Sequence, residues 1–343
     1  MGVPIELPLG VAACPLTATS AGIRALARRG YNVLTFKTVR STERPAYSEP
    51  NWLYVRDINP PVRVGVDPVD STAYPEGAAQ PAPGTRYATV NSYGVQSPPP
   101  IVWQRELALA LDEMRDTQLL IASVQGSPER YRTSGTLAGD FVTVARLAEA
   151  SGATAIELNL SCPNVIDSSE GAVQPPICAS PTHTQRIVES VRSALSPTTR
   201  LVAKLAYLPS SELDQVLGPI ASKLDAVSGI NTLQVRARDA HGNPVFPASR
   251  GAHPARDLAG LSGAPLRAFS QVFVRSLSTL RAQNGWTFDI IGMGGVSSAD
   301  DVDALFCAGA SAVQAATAVI RTPDLADSVA SRGVEAHRGL QIA

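Results

Sequence analysis

The feature that most constrains the fold is a series of eight short apolar runs that alternate with segments of helical spacing. The strand-sized runs lie at about 9–14, 31–37, 119–124, 154–160, 200–205, 226–231, 287–292 and 311–316. The helical segments are 20–29, 101–116, 136–150, 182–195, 211–224, 265–283, 298–308 and 323–337. Repeated strand–helix units build parallel sheets of the α/β class. Eight such units favour closure into a TIM (β/α)8 barrel over an open sheet.

Length and charge are compatible with one barrel domain over residues 1–343. The chain has 44% apolar and 17% charged residues, which is typical of soluble globular proteins rather than of disordered tails or membrane bundles. The 29 Lys and Arg residues against 30 Asp and Glu residues give a net charge of −1. Nucleic-acid binding normally needs a clear positive excess. We therefore expect a small-molecule substrate, with neither a nucleic acid nor a membrane as partner.

The cysteines and the N-terminal region bear on compartment and on metals. The four cysteines include no CxxC pair, and the four histidines form no paired motif, so we expect free thiols and no metal site. Residues 7–23 are uncharged but contain prolines, and no basic residue precedes them. We interpret this stretch as a buried strand and turn rather than a targeting segment. Together these features predict a cytoplasmic protein.

Three long excursions interrupt the strand–helix rhythm, at 39–100, 162–181 and 232–264. Each follows the end of a predicted strand. Loops at that end of a barrel build the active site, so we expect long inserted loops at the C-terminal face, with 39–100 as a lid. The competing interpretation is that these are surface insertions, which chains tolerate because loop entropy grows slowly with length.

Polar side chains occur where several predicted strands end. They are Lys37, Asn159, Cys162, Lys204, Asn231 and Thr232, with Asn91 and Asn164 in neighbouring loops. Lysine charges at a barrel mouth suit an anionic ligand, or negative charge that develops on a cofactor. The amides offer donors and acceptors to a planar ligand, and a loop cysteine is able to act as a base. The competing interpretations are lysines that extend to solvent and a cysteine that packs as a small apolar residue.

A Gly-Gly turn, Gly294 and Gly295, follows the seventh predicted strand, and Ala316 and Thr317 end the eighth. Barrels commonly bind phosphate at these two loops, through backbone N–H groups and a helix N-terminus. A phosphate site alone does not distinguish a flavin from a phosphorylated sugar. The GxSxG, Walker and Rossmann motifs are missing, which disfavours serine hydrolysis, nucleotide hydrolysis and dinucleotide binding.

The motif ELNLSCPN at 157–164 resembles the dihydroorotate dehydrogenase family, and its cysteine resembles the soluble class 1 enzymes. The resemblance covers about residues 10–320. It continues in order through FKTVRS, NSYG, VAKL, INT, the GLSG of 260–263, IIGMGGV and AATAV. It disfavours the membrane-docking, quinone-using class, because a cysteine replaces serine and no helical extension precedes the barrel.

The resemblance implies an FMN-dependent oxidoreductase that acts on a C–C bond beside a carbonyl in a cyclic amide. Dihydroorotate and orotate are the preferred substrate pair, which would place the enzyme in pyrimidine biosynthesis, as a homodimer. Cys162 matches the acid/base, and Lys37, Thr38, Asn159 and Lys204 match residues beside the flavin. The FMN phosphate would lie near Gly263, Gly294, Gly295, Ala316 and Thr317. The orotate-binding set would be Asn91, Asn159, Asn164, Asn231 and Thr232.

Departures from the family concern surfaces that would touch substrate. The loop after SCPN reads VIDSSEGAVQPPIC, Tyr93 stands where methionine is usual, and 39–90 is longer than in class 1 enzymes. A paralogue acting on another cyclic amide, an enone or a natural-product intermediate is therefore a second hypothesis. A lyase with a Schiff base at Lys204 and a flavin-binding protein without turnover are less favoured hypotheses. Fumarate, a partner subunit with NAD chemistry and oxygen are the candidate electron acceptors.

Overall fold

The centre of the fold is a closed barrel of eight parallel strands. The computed structural model describes residues 4–75, 86–127, 135–162, 175–248, 255–322 and 324–332. Numbered along the chain, the barrel strands are β1 (Leu9–Val11), β2 (Val33–Val39), β6 (Leu119–Val124), β7 (Ala155–Asn159), β8 (Arg200–Lys204), β9 (Ala226–Gly229), β14 (Asp289–Met293) and β15 (Ala312–Ala315), in this order around the barrel. Each strand overlaps one of the eight apolar runs. The predicted TIM (β/α)8 fold is confirmed.

Helices surround the barrel and follow its strands. They are α1 (Ser20–Arg28), α2 (Pro100–Leu111), α3 (Leu137–Ala150), α4 (Pro181–Ala194), α5 (Ser210–Leu217), α6 (Arg267–Asn284), α7 (Ala299–Cys307) and α8 (Leu325–Ala330). Side-chain caps begin several of them; Ser298, for example, accepts a hydrogen bond from the backbone of Asp301. The predicted helix at 101–116 is too long, because only one apolar side chain, Met114, follows Leu111 to pack inward. Within the described residues, no helix combines the length and apolar character that a bilayer span requires.

Two of the three excursions form a second, five-stranded closed sheet that the sequence analysis did not predict. Its strands are β3 (Trp52–Asn59), β4 (Thr72–Pro75), β5 (Ala88–Asn91), β10 (Leu233–Ala237) and β13 (Leu258–Gly263), paired in the order β10-β13-β5-β3-β4. A separate hairpin pairs β11 (Phe246–Ala248) with β12 (Ala255–Arg256). Region 39–100 is therefore not simply a loop, since it supplies three strands to this sheet. We call the described parts of 39–100 and 232–264 together the cover.

Alternate side chains of the barrel strands face opposite sides. On β6, Leu119 and Ile121 belong to the cluster inside the barrel, whereas Leu120 and Ala122 pack in the larger cluster towards the helices. A polar group also lies within the barrel. The Gln314 amide donates to the Val33 carbonyl and to the Thr35 hydroxyl, each at 2.9 Å, and all three residues are buried. The interior is thus a packed core, in which the Gln314 amide donors are satisfied, rather than a channel.

Barrel closure depends on a close approach at Gly10. This residue of β1 pairs with Val33 of β2, and a Cβ atom at position 10 would lie 1.6 Å from the Val33 carbonyl oxygen. Because both groups are held by the strand ladder, neither is able to move away without loss of pairing. Glycine is required here for β1 and β2 to meet.

We expect Gly10→Ala to lower the free energy of unfolding by about 3 kcal/mol, because the methyl group forces the two strands apart. Urea denaturation of the purified protein measures this. Gly285→Ala is the matched control: Gly285 has φ +65° but open space around it, so only the left-handed backbone cost of about 1 kcal/mol applies. Equal losses in the two variants would contradict the steric argument.

Candidate functional site

One cavity of about 1760 Å³ lies between the carboxyl ends of the barrel strands and the second sheet. It brings together all of the sequence-predicted site residues that fall within the described part of the chain. They are Lys37, Thr38, Asn91, Asn159, Cys162, Lys204, Asn231, Thr232, Gly263, Gly294, Gly295, Ala316 and Thr317. Asn164 lies outside the described residues.

A continuous chain of hydrogen bonds crosses the barrel mouth. Ser123 and Thr38 are 2.9 Å apart through their hydroxyls, and Asn159 Nδ2 donates to Thr38 Oγ1 at 3.2 Å. Ser161 donates to Asn159 Oδ1 at 2.8 Å and accepts from Asn231 Nδ2 at 2.6 Å. These residues come from four different strand ends. The network fixes the orientation of both asparagine amides. Their orientation is therefore set before a ligand forms hydrogen bonds with them.

A buried ion pair lies below the same mouth. Lys204 Nζ is 4.0 Å from Glu157 Oε1, and the two side chains are only 4% and 1% exposed. The other carboxylate oxygen accepts a hydrogen bond from Ser228 at 2.8 Å, while Oε1 has no hydrogen-bond partner among the described residues. Glu157 therefore offsets the lysine charge at a distance too long for a hydrogen bond, and the Lys204 side chain still lines the cavity.

Lys37 is the second lysine of the cavity and lies partly exposed to it. Burial lowers the pKa of Lys37 to about 8, and the charge of Lys204 acts in the same direction. Cys14 and Cys162 oppose this shift, so both thiols lie within electrostatic reach of the Lys37 ammonium. At neutral pH the site therefore carries a cation that is poorly solvated, which favours binding of an anion.

The second sheet contributes Asn91 from the other side of the cavity. Asn91 ends β5, and its Nδ2 donates to the Gly260 carbonyl of β13 at 3.1 Å, which leaves Oδ1 as an acceptor. A Cβ atom on Gly260 would lie 2.5 Å from Thr232 Oγ1. Glycine at 260 thus lets Thr232 pack directly against β13, the strand whose Gly260 carbonyl accepts the hydrogen bond from Asn91.

Backbone donors form a cradle where β14 and β15 end. Gly294 and Gly295 have φ of +116° and +75°, and Ser270 donates to the Gly294 carbonyl at 2.7 Å. Among the described residues, no acceptor takes a hydrogen bond from the backbone N–H groups of Gly295, Val296, Ala316 and Thr317. Free N–H groups at two adjacent turns suit the oxygens of a phosphate group.

Sequence reasoning missed several arginines and aromatic residues of the cavity wall. Arg40 is buried and donates to the carbonyls of Val95 and Gly126 and to the Ser127 hydroxyl, at 2.9–3.2 Å. Arg256 contacts the segment around Tyr47. These residues lie within or beside the excursions, for which the sequence predicts loops, and no spacing rule marks them.

The lysine content permits a direct test of the Lys37 pKa, because the chain has only three lysines. We expect one 13C-methyl signal of the reductively methylated protein to titrate near pH 8, and Lys37→Arg to remove that signal. The physical reason is that folding buries the ammonium. The proton is bound below this pH and released above it. A Lys37 signal that titrates at the ordinary lysine value of about 10.4 would contradict the prediction.

The buried ion pair predicts a rescue experiment. Lys204→Met should lower the free energy of unfolding by about 3–5 kcal/mol, because Glu157 is left as an unpaired buried charge. Adding Glu157→Gln should restore much of the loss, as measured by urea denaturation of the flavin-free protein. The control is Lys223→Met in the exposed Lys223–Glu189 pair, where we expect at most about 1 kcal/mol. Strictly additive losses in the double variant would exclude the pairing.

Comparison with known proteins agrees with this geometry. A family model described as dihydroorotate dehydrogenase matches residues 72–333. The dihydroorotate dehydrogenase of Dictyostelium discoideum is 27% identical over 336 residues, which cover 95% of this chain and 85% of that protein. The catalytic subunit of dihydroorotate dehydrogenase B (NAD(+)) from Thermoplasma acidophilum is 31% identical, over 59% of this chain and 60% of that protein. The corresponding subunit from Alkaliphilus oremlandii is 28% identical, over 68% of each.

The matched region begins at β4 and contains every later strand of the barrel, from β6 to β15. It also contains the Asn159, Cys162 and Lys204 side of the cavity and both turns of the cradle. It spans more than half of the chain. The chain therefore belongs to the dihydroorotate dehydrogenase family, whose members are flavin-dependent oxidoreductases acting on a CH–CH bond.

Proposed function

We propose that this chain binds FMN and catalyses hydride transfer between the flavin and a C–C bond beside a carbonyl in a cyclic amide. Dihydroorotate and orotate are the preferred pair, a reaction of pyrimidine biosynthesis. The observation that carries the proposal is a single cavity in a member of this family: the Cys162 thiol, two lysines and three asparagine amides face the same space as a backbone cradle.

The residues of the cavity fit a flavin phosphate and a flavin ring. The N–H groups of Gly295, Val296, Ala316 and Thr317 have the chemistry to hold the phosphate, beside Gly263 and Gly294. Lys37, Thr38, Asn159 and Lys204 line the rest of the flavin side. When bound, the flavin supplies the group that accepts or returns the hydride. A lysine near its pyrimidine edge would stabilise the negative charge of the reduced form.

The asparagines have the donors and acceptors that a dihydropyrimidine ring needs. Asn91 and Asn231 each donate within the protein, to Gly260 and Ser161, and keep an acceptor oxygen for ligand N–H groups. Thr232 adds a hydroxyl at the same wall. Asn164 completes this set in the proposal. The poorly solvated charge of Lys37 suits the carboxylate of the substrate.

Cys162 is the proposed acid/base. In the oxidising direction, its thiolate takes the proton from one substrate carbon, and that C–H electron pair becomes the new C=C bond. The neighbouring carbon would lose a hydride, which is two electrons with one proton, and the flavin that the cradle residues, Lys37 and Lys204 would hold supplies the acceptor for it. Lys37 lies within electrostatic reach of Cys162, since Cys162 contributes to the pKa of Lys37. The reverse direction returns the same proton from the Cys162 thiol.

We further propose, from the class 1 resemblance, that the enzyme works as a cytoplasmic homodimer. Light scattering coupled to size-exclusion chromatography should give the mass of two chains. A mass of one chain, or of a complex with a second polypeptide, would contradict the homodimer.

Anaerobic mixing of the FMN-loaded protein with dihydroorotate tests the reaction. We expect bleaching of the oxidised flavin absorbance in the wild type. Cys162→Ala should retain FMN but slow the bleaching by about 10²–10⁴-fold at neutral pH, because the general base is removed. Cys307→Ala is the control, since that cysteine is exposed at the end of α7.

Several outcomes would contradict parts of the proposal. Unchanged single-turnover reduction in Cys162→Ala would contradict the assignment of Cys162 as the base, but it would not contradict the proposed reaction. If another cyclic amide or an enone bleaches the flavin and dihydroorotate does not, the result would favour the paralogue. Covalent labelling of Lys204 by borohydride in the presence of a sugar phosphate, in a colourless protein, would favour the lyase.

A further inference from the structure

Arg256 joins three segments of the cover that are far apart in the chain. Its Nη1 donates to the Ser92 carbonyl, its Nη2 to the Ser48 carbonyl at 2.7 Å, and its Nε to the Pro247 carbonyl at 2.8 Å. The first carbonyl follows β5, the second lies between β2 and β3, and the third lies on β11. One half-buried guanidinium therefore connects these segments at the cavity wall.

Two aromatic rings contact the guanidinium. Its central carbon lies 4.9 Å from the centroid of the Tyr47 ring and 5.4 Å from that of Phe246. Cation–π contacts of this kind favour arginine because its planar group stacks while its N–H groups still donate at the edge. Lysine would keep the charge but lose the simultaneous directed bonds.

The same segments carry the turn that faces the proposed substrate. Tyr47 N donates to the Tyr93 carbonyl at 3.1 Å, and Ser92 N donates to the Asn51 carbonyl at 2.9 Å. The Tyr47 ring packs so closely on Gly94 that a Cβ atom there would lie 2.7 Å from it. Asn91 directly precedes this turn. The position of Asn91 and Tyr93 is therefore tied to Tyr47, and through Tyr47 to Arg256.

Among the described residues, Arg256 also differs from Arg236 and Arg238 in having no acidic partner. Arg236 and Arg238 pair with Asp257 at 2.7 and 2.8 Å, but within the described ranges no carboxylate lies within ion-pair distance of Arg256. Its protein contacts are instead to neutral carbonyls and rings. Arg256 therefore acts through directed hydrogen bonds to carbonyl groups, whereas Arg236 and Arg238 act through ion pairs.

We infer that Arg256 is a positioning residue for substrate: it clamps the Ser48, Ser92 and Pro247 segments together and thereby sets the place of Asn91 and Tyr93. The inference rests on the proposed function for the identity of the ligand. We expect Arg256 to be needed for tight substrate binding. It should not be needed for flavin binding, because the clamp contacts neither the glycine cradle nor Lys204.

Hydrogen exchange tests the clamp without any ligand. We compare wild type, Arg256→Lys and Arg256→Gln, with Arg332→Gln as the control at an exposed arginine paired with Asp300. In both Arg256 variants the amides of Tyr47 and Ser92 should exchange about tenfold faster or more, because their acceptor segments are released. Amides of β7 should be unchanged, which shows that the barrel is folded. Wild-type protection of Tyr47 and Ser92 in both variants would overturn the clamp.

Orotate binding to the FMN-loaded protein tests the consequence. The perturbation of the flavin spectrum by orotate should give a Kd about tenfold higher or more in both variants, whereas the FMN Kd should stay within about twofold. An orotate Kd equal to that of wild type would overturn the positioning role. A wild-type protein that binds FMN but not orotate would instead count against the proposed substrate, and the hydrogen-exchange result would still decide the clamp.

Discussion

The parallel closure of the barrel is the constraint on which the rest of the structure depends. Because all eight strands run in the same direction, their carboxyl ends meet at one rim. Lys37, Asn159 and Lys204 are far apart in the chain, but β2, β7 and β8 deliver them to the same cavity. The pairing of β1 with β2 closes this arrangement, and it depends on the absence of a side chain at Gly10.

Concentrating polar groups at this rim has an energetic cost that the fold partly offsets. Two lysines and a carboxylate lie at or below this rim, and removing charged groups from water is costly unless they are paired. Glu157 offsets Lys204 from below, and the Ser228 hydroxyl steadies Glu157. Over the part of the chain that the structure describes, no carboxylate pairs with Lys37 in this way, and the lowered pKa of Lys37 reflects the cost. A bound anion would relieve it, so ligand binding and stability are linked at this site.

The barrel and the positions of its rim residues were predictable from the sequence, because strand-end residues follow from the strands themselves. The second sheet was not predicted, although LQVRA at 233–237 and WLYVRDIN at 52–59 have strand-like composition. Prolines and glycines around them favoured a loop interpretation. Arg256 was also missed. Its partners are backbone carbonyls from three separate segments. Because every residue has a backbone carbonyl, residue types do not indicate such partners.

The residues of the proposed site come from two parts of the structure, the barrel and the cover. The barrel strands and their ends hold the groups assigned to the flavin except Gly263, which ends β13 in the cover, whereas Asn91 and Tyr93 come from the cover, on and directly after β5. Changes in the cover are therefore able to alter the substrate with little effect on the flavin. This agrees with the sequence: region 39–90 and Tyr93 depart from the class 1 pattern, whereas the barrel motifs follow it. Substrate choice in this chain should thus depend on segments that the Arg256 clamp holds together.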